Sequence, residues 1–137
     1  MFEKYAVFTG GARLHRFNLA DCVMIKDNHI QYAGSITNAV KKIREHLSHT
    51  HKIEIECDTI EQVKEAIEAK ADIIMLDNMS CDLMKECVAI IGDKALVEAS
   101  GNVTIDTIEN IAKTGVDVIS SSAIVAKAKT LDVALDM

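Results

Sequence analysis

Short apolar runs rich in β-branched residues alternate along this chain with longer amphipathic stretches. The runs cover residues 22–25, 53–57, 73–76, 95–98 and 116–120, each the length of one buried strand. The stretches between them follow a helical period. Within 35–47, Ile36, Ala39, Val40, Ile43 and Leu47 share one face. The stretch 59–69 opens on Thr59 with Gln62 three residues later, the pattern of a capping box, and Val63, Ala66 and Ile67 continue its apolar side. Helices over 80–91 and 104–113 end before Gly92 and at Thr114-Gly115, because glycine accepts the left-handed conformation that stops a helix.

A strand, a helix and a second strand recurring at roughly 20 residues is the βαβ unit of a parallel sheet, with a right-handed crossover. Tight repeats with no reversal of strand order favour a (β/α) barrel over a doubly wound sheet. A closed barrel has about eight such units, whereas the chain shows five. The expected fold is therefore α/β: a partial (β/α) barrel of about five parallel strand-helix units. It fills residues 1–137 as one domain and reads as a portion of a longer protein.

Composition sharpens this in three respects. Hydrophobic residues make up 49% and aromatics only 4%, so the core must be aliphatic. No apolar run approaches the roughly 20 residues of a membrane span, and the first residues lack the apolar centre of a signal peptide; the expectation is a cytoplasmic protein with no membrane partner. A net charge of −6 argues against a nucleic-acid partner. Cys22, Cys57, Cys81 and Cys87 form no C-x-x-C pair, so no structural zinc site is expected, and Cys22 and Cys57 read as small core residues in strands.

In barrels, chemistry collects where strands end. The first run leads into Lys26, Asp27, Asn28 and His29. In the second, Glu54 and Glu56 lie two apart and so point to one side. With Ile53, Ile55 and Cys57 facing helices, that side is the barrel interior, where carboxylates are costly unless paired or metal-linked. Asp77 ends the third run, next to Glu56 if the strands are neighbours. Two carboxylates and water suit Mg²⁺ on a diphosphate. Asp77 has a plainer reading as the N-cap of the following helix. The fourth run leads to Ser100 and Gly101, close to the start of the helix expected from Thr104, a natural anion site. The fifth leads to Ser120, Ser121 and Ser122. Ahead of the first run, Gly10-Gly11 precede Arg13, His15 and Arg16, and arginine forks match carboxylate and phosphate oxygens. The expected mouth thus combines cations (Arg13, His15, Arg16, Lys26, His29), carboxylates (Glu56, Asp77) and amide and hydroxyl donors (Gly101, Ser121). These residues fit a polyanionic substrate carried partly by Mg²⁺. They do not separate a phosphosugar aldolase from a phosphoribosyl transferase.

The string LHRFNLADCVMIKDNHI resembles the His-Arg to Ile-Lys-Asp-Asn-His segment of quinolinate phosphoribosyltransferases. IEIECDTIEQVKEAIEAKADIIMLDNM is similar to that family's two consecutive strand ends, VEASGNVTIDTIENIAKTGVDVISSSAI to its phosphate loops, and TLDVALDM to its C-terminal tail. The resemblance implies phosphoribosyl transfer from phosphoribosyl pyrophosphate to quinolinate with decarboxylation, giving nicotinate mononucleotide in NAD biosynthesis. It implies that His15 and Arg16 hold the quinolinate carboxylates, with Arg13 beside them. Lys26 lies at the reacting centre, and Glu56 and Asp77 organise Mg²⁺, indirectly, and the ribose. Ser100, Gly101, Ser121 and Ser122 hold the 5′-phosphate. The family also has an amino-terminal sandwich domain and a Thr-Arg-Lys-Thr stretch that the chain lacks, and it completes its sites across subunits. A homo-oligomer or a separate amino-terminal half is therefore expected as partner, and activity is not expected of this portion alone. Ala12 and Leu14 stand where the family commonly has glycine and asparagine, and Ser122 where it has glycine. Those departures leave open a non-catalytic interaction module on the same half-barrel. Lys26 at a strand end leaves open a Schiff-base lyase.

Overall fold

The computed structural model describes residues 2–135. Five parallel strands form one sheet in the order β1-β2-β3-β4-β5, comprising β1 (Val23–Ile25), β2 (Ile53–Cys57), β3 (Ile73–Asp77), β4 (Leu96–Ser100) and β5 (Val118–Ile119). Sequential order with helical crossovers is the singly wound arrangement of a partial (β/α) barrel. The crossovers are α2 (Asp27–Ala33) and α3 (Ile36–Arg44) after β1, α4 (Ile60–Glu68) after β2, α5 (Cys81–Ile91) after β3 and α6 (Ile108–Ala112) after β4. α1 (Phe2–Thr9) precedes β1, and α7 (Ala123–Ala126) follows β5.

Period-two alternation decides which face each residue takes. Ile53, Ile55 and Cys57 are fully buried, as are Ile74, Leu76 and Ala99 of the neighbouring strands. They join Ile36, Val40, Val63, Ala66, Met84, Cys87 and Ile91 of the helices in one aliphatic core. The intervening positions form the other face: Met24 and Lys26, Glu54 and Glu56, Met75 and Asp77, Glu98 and Ser100. Register aligns Met24 with Glu54, Glu56 with Met75, and Met75 with Glu98. The polar residues therefore form rows across that inner face.

The helix starts follow the sequence. Ser35, Thr59 and Ser80 each accept from a backbone N–H one turn on, and Thr59 and Gln62 complete their capping box. Ser80 takes the cap that Asp77 was an alternative candidate for. Two aspartates just ahead of strands repeat one device. Asp72 accepts from the Ile53 N–H at 2.8 Å and pairs with Arg44 at 2.9 Å. Asp117 accepts from the Val97 N–H at 2.8 Å. Each ties the foot of one strand to the strand before it.

Several boundaries differ from expectation. The 35–47 helix ends at Arg44, and β4 starts one residue later than expected and ends two later, at Ser100. The helix expected from Thr104 begins only at Ile108; Thr104 to Thr107 form a turn in which the Thr107 Oγ1 accepts from the Thr104 N–H. The polar residues after β1 open a helix, α2, with the His29 side chain accepting from the Lys26 N–H at its start. α1 was not foreseen, since it buries none of its residues. Cys57 and Cys87 are buried, while Cys22 is half-buried just before β1. The resemblance drawn for 130–137 reaches Asp136 and Met137, which lie outside the described residues. Among the described residues, no helix is long and apolar enough to cross a membrane.

Replacing Asp72 by alanine strands the buried Ile53 N–H and removes the Arg44 pair. Losses of this kind cost about 1–3 kcal/mol. Urea denaturation of Asp72→Ala should show a lower midpoint with an unchanged slope; an unchanged midpoint would show that the strand foot is held by other bonds.

Candidate active site at the inner face and strand ends

The loop 10–21 carries the first group of candidate residues. α1 packs against α7 beyond the opposite edge of the sheet, so the returning loop passes across the inner face. Lys4 at the helix start donates to the Arg16 carbonyl at 2.9 Å and holds the loop in place. His15 sits over the sheet with Nε2 at 3.5 Å from Glu54 Oε1 and 3.4 Å from Glu98 Oε1. Arg16 is half-buried; it donates to the Cys22 carbonyl at 2.9 Å and approaches the Met24 sulfur at 3.8 Å. Arg13 is exposed and forms no ion pair among the described residues. His29 turns away from this group, because its Nδ1 accepts from the Lys26 N–H at 3.0 Å. It caps a helix and is not one of the mouth cations.

Two residues beyond Glu54 on β2, the Lys26 ammonium pairs with Glu56 Oε1. Asp77 lies on the same face two residues past Met75, the register partner of Glu56, and level with Ser100. Glu56 and Asp77 thus share a face on adjacent strands, stepped toward the strand ends. They are the members of the acidic set that solvent reaches, both being half-buried.

At the ends of β4 and β5, Ser100, Gly101, Ser121 and Ser122 line one cleft of about 210 Å³, together with Val103 and Lys127. Its rim is locked by side-chain and backbone bonds. Asn102 donates to Asn78 Oδ1 at 2.8 Å, and Asn78 donates to Asp77 Oδ2 at 2.9 Å. Gly101 adopts φ +90°, and a Cβ there would lie 2.4 Å from the Asn78 side chain. Ser121 Oγ donates to the Val103 carbonyl and accepts from the Ala123 N–H, each at 3.2 Å. Ser122 has φ −75°, so its side chain needs no strained backbone. At the other departures, Gly11 rather than Ala12 takes the positive φ, and Leu14 is exposed.

Two residues of the site were not singled out from the sequence. Glu98 is 3% exposed and accepts from Ser120 Oγ at 2.5 Å; register sets it level with Glu56, and its carboxylate meets that of Glu54 at His15. Lys127 follows a very short helix and carries no local motif.

A singly wound parallel α/β sheet with carboxylates and cations on its inner face, and a small-residue cleft at its strand ends, defines a partial (β/α) barrel of the kind that carries its chemistry at the strand ends. The chain matches the family described as quinolinate phosphoribosyl transferase, C-terminal domain, over residues 1–136, and it belongs to that family. It is 48% identical over 140 residues to the probable nicotinate-nucleotide pyrophosphorylase [carboxylating] of Synechocystis, covering 100% of this chain and 48% of the relative. It is 43% identical over 137 residues to the Bacillus subtilis protein of the same name, covering 100% of this chain and 47% of the relative. Among solved structures, the nicotinate-nucleotide pyrophosphorylase of Ehrlichia chaffeensis superposes with a TM-score of 0.88 at 46% identity, over 93% of this chain and 46% of that one. NadC from Streptococcus pyogenes superposes with a TM-score of 0.90 at 40% identity, over 96% and 46%. The chain spans about half the length of the curated relatives it matches.

Burial, and then the nearby Glu98, push the Glu54 carboxyl above its ordinary value of 4.5, while His15 and Arg16 pull it back only in part. A carboxyl with a raised folded pKa contributes stability that is complete below its unfolded pKa and is lost as pH rises through the folded one. Glu54→Gln should remove that component. The difference in urea midpoint between variant and parent should then shift in favour of the variant as pH rises above that ordinary value. A difference independent of pH would exclude Glu54 as the titrating group.

Proposed function

We propose that the chain supplies the donor-binding portion of a phosphoribosyl transfer from phosphoribosyl pyrophosphate to quinolinate, with loss of carbon dioxide and formation of nicotinate mononucleotide in NAD biosynthesis. The observation that carries this reading is the serine-lined cleft at the ends of β4 and β5, next to Asp77 and on the same side as the Lys26–Glu56 pair. A phosphate monoester in that cleft would meet Ser100 and Ser121 hydroxyls, the Gly101 backbone and the Lys127 ammonium. Ribose extending inward from it would reach the row of Glu56 and Asp77.

The chemistry follows from those positions. As pyrophosphate departs, positive charge builds on the ribose, and carboxylates fixed beside it stabilise that charge. Lys26 holds Glu56 in place and presents a cation toward the pyridine dicarboxylate, with Arg13, His15 and Arg16 on the loop side. Positioning the pyridine nitrogen over the anomeric carbon is orientation catalysis. Loss of the adjacent carboxylate leaves a carbanion next to the ring nitrogen, which the nearby cations favour. Glu56 and Asp77 suit Mg²⁺ approached through a diphosphate and water, because two stepped, solvent-reached carboxylates resemble the sparse protein ligand sets of that ion. When bound, Mg²⁺ offsets charge on the leaving group.

We also propose that the reaction needs groups from outside residues 1–137, delivered by an amino-terminal half or a partner subunit, and that the protein works in the cytoplasm. The open edges of β1 and β5, each paired on one side only, are consistent with such completion. The lyase reading finds less support. The Lys26 nitrogen is engaged by a carboxylate, rather than set in the apolar pocket or beside the second cation that activates lysine nucleophiles.

Calorimetry with phosphoribosyl pyrophosphate and Mg²⁺ tests the reading without requiring turnover. Saturable binding is expected, weakened about 10-fold, equivalent to about 1.4 kcal/mol, in Lys127→Ala, with a comparable loss in Ser121→Ala. Absence of binding by the folded chain would sink the proposal. Carbon dioxide release from carboxyl-labelled quinolinate should appear when the chain is combined with an amino-terminal half of a relative, and should be lost in Glu56→Gln.

A further inference from the structure

On the inner face, two buried carboxylates that the proposed reaction does not use flank His15. Glu54 and Glu98 are 1% and 3% exposed. Their carboxylates flank His15 Nε2, and one oxygen of each lies with that nitrogen in a group whose members are all within 4.8 Å of one another. Glu54 Oε1 is buried and accepts no hydrogen bond. An imidazole nitrogen carries at most one proton, so it cannot serve two carboxylate oxygens at once. Arg16 is the nearby charge from the loop, but its donors go to the Cys22 carbonyl and the Met24 sulfur. Ser120 satisfies Glu98 only. Two buried carboxylates are thus left with one half-exposed imidazole between them, an arrangement that is costly without a further cation.

We propose that His15, Glu54 and Glu98 form a binding site for a divalent transition-metal cation of the zinc class. One imidazole nitrogen and two carboxylate oxygens are ligands such ions accept, with a fourth position open to water or substrate. Bonds of about 2.0–2.2 Å around a tetrahedral ion place ligand atoms about 3.4 Å apart. The Nε2–oxygen separations of 3.5 and 3.4 Å already match that spacing. The nitrogen ligand and the small ligand number favour zinc-class ions over Mg²⁺, which demands an octahedron of oxygens. Half-exposed His15 leaves a path from solvent, and its place on a loop lets the third ligand close over an ion already held by the two strands. The site shares no ligand with Glu56 or Asp77 and does not rest on the phosphoribosyl reading.

The test is metal binding by the whole chain after chelator treatment, with Zn²⁺ followed by calorimetry and Co²⁺ by its visible absorption. One ion per chain is expected, with a Co²⁺ spectrum of low coordination number. Substitution of a metal's outer partners alone weakens binding about 10–100-fold. Glu54→Gln, Glu98→Gln and His15→Gln should therefore each weaken Zn²⁺ by at least about 100-fold, while Glu56→Gln keeps it. Circular dichroism establishes that each variant is folded; should a strand variant fail to fold, His15→Gln on the exposed loop decides. Binding that is substoichiometric or only millimolar, or that survives His15→Gln, overturns the proposal. So does binding that Glu56→Gln abolishes. None of these results bears on phosphoribosyl pyrophosphate affinity, so the two readings fail separately.

Discussion

The alternation of side chains along parallel strands is the constraint on which the rest of this structure depends. Because all helices of the core pack on one side of the sheet, every second strand residue is committed to an aliphatic interior and the others are released from it. Ile53, Ile55 and Cys57 are consumed by packing; Glu54 and Glu56, one step away, are thereby forced onto a common face. The loop from α1 must then cross that face to reach β1, which brings His15 and Arg16 to the carboxylates. Packing and chemistry are therefore one pattern read in two phases, and a slip of one residue in β2 would bury Glu56 among helices.

Cover by the loop separates the carboxylates of the inner face into two sets. Glu54 and Glu98, beneath His15, are shielded from water. Glu56 and Asp77 keep contact with solvent, and Glu56 with Lys26. Beyond them the small residues of the last two strands leave a hollow that no side chain fills. A ligand with a phosphate at one end and a ring at the other would lie along this gradient.

Much of this was legible in the sequence because local rules and tertiary packing agree. The strands were visible as β-branched runs, and Thr59 with Gln62 announced the start of α4 by a pairing that needs no tertiary information. The four candidate residues of the strand-end cleft were legible as small donors after strands, although their convergence required the fold. What escaped was decided by distance or by weak signals. α1 buries nothing, so it has no apolar stripe to read. His29 looked like a mouth cation because its capping bond depends on where α2 begins. The five-residue α6 was overestimated because Thr104 forms a turn of its own with Thr107. Glu98 sat unremarked at the end of an apolar run; only the assembled sheet and the loop crossing it bring its carboxylate near that of Glu54.

The lock at the cleft rim also constrains the history of the sequence. Asn78 occupies the space a Cβ would need at position 101, and both Asn78 and Asn102 sit in the left-handed region alongside Gly101. A side chain at residue 101 would have to displace the Asn78 amide and also accept an unfavourable backbone angle. Moving that amide would also loosen its bond to Asp77, so residues 78 and 101 are expected to vary in concert.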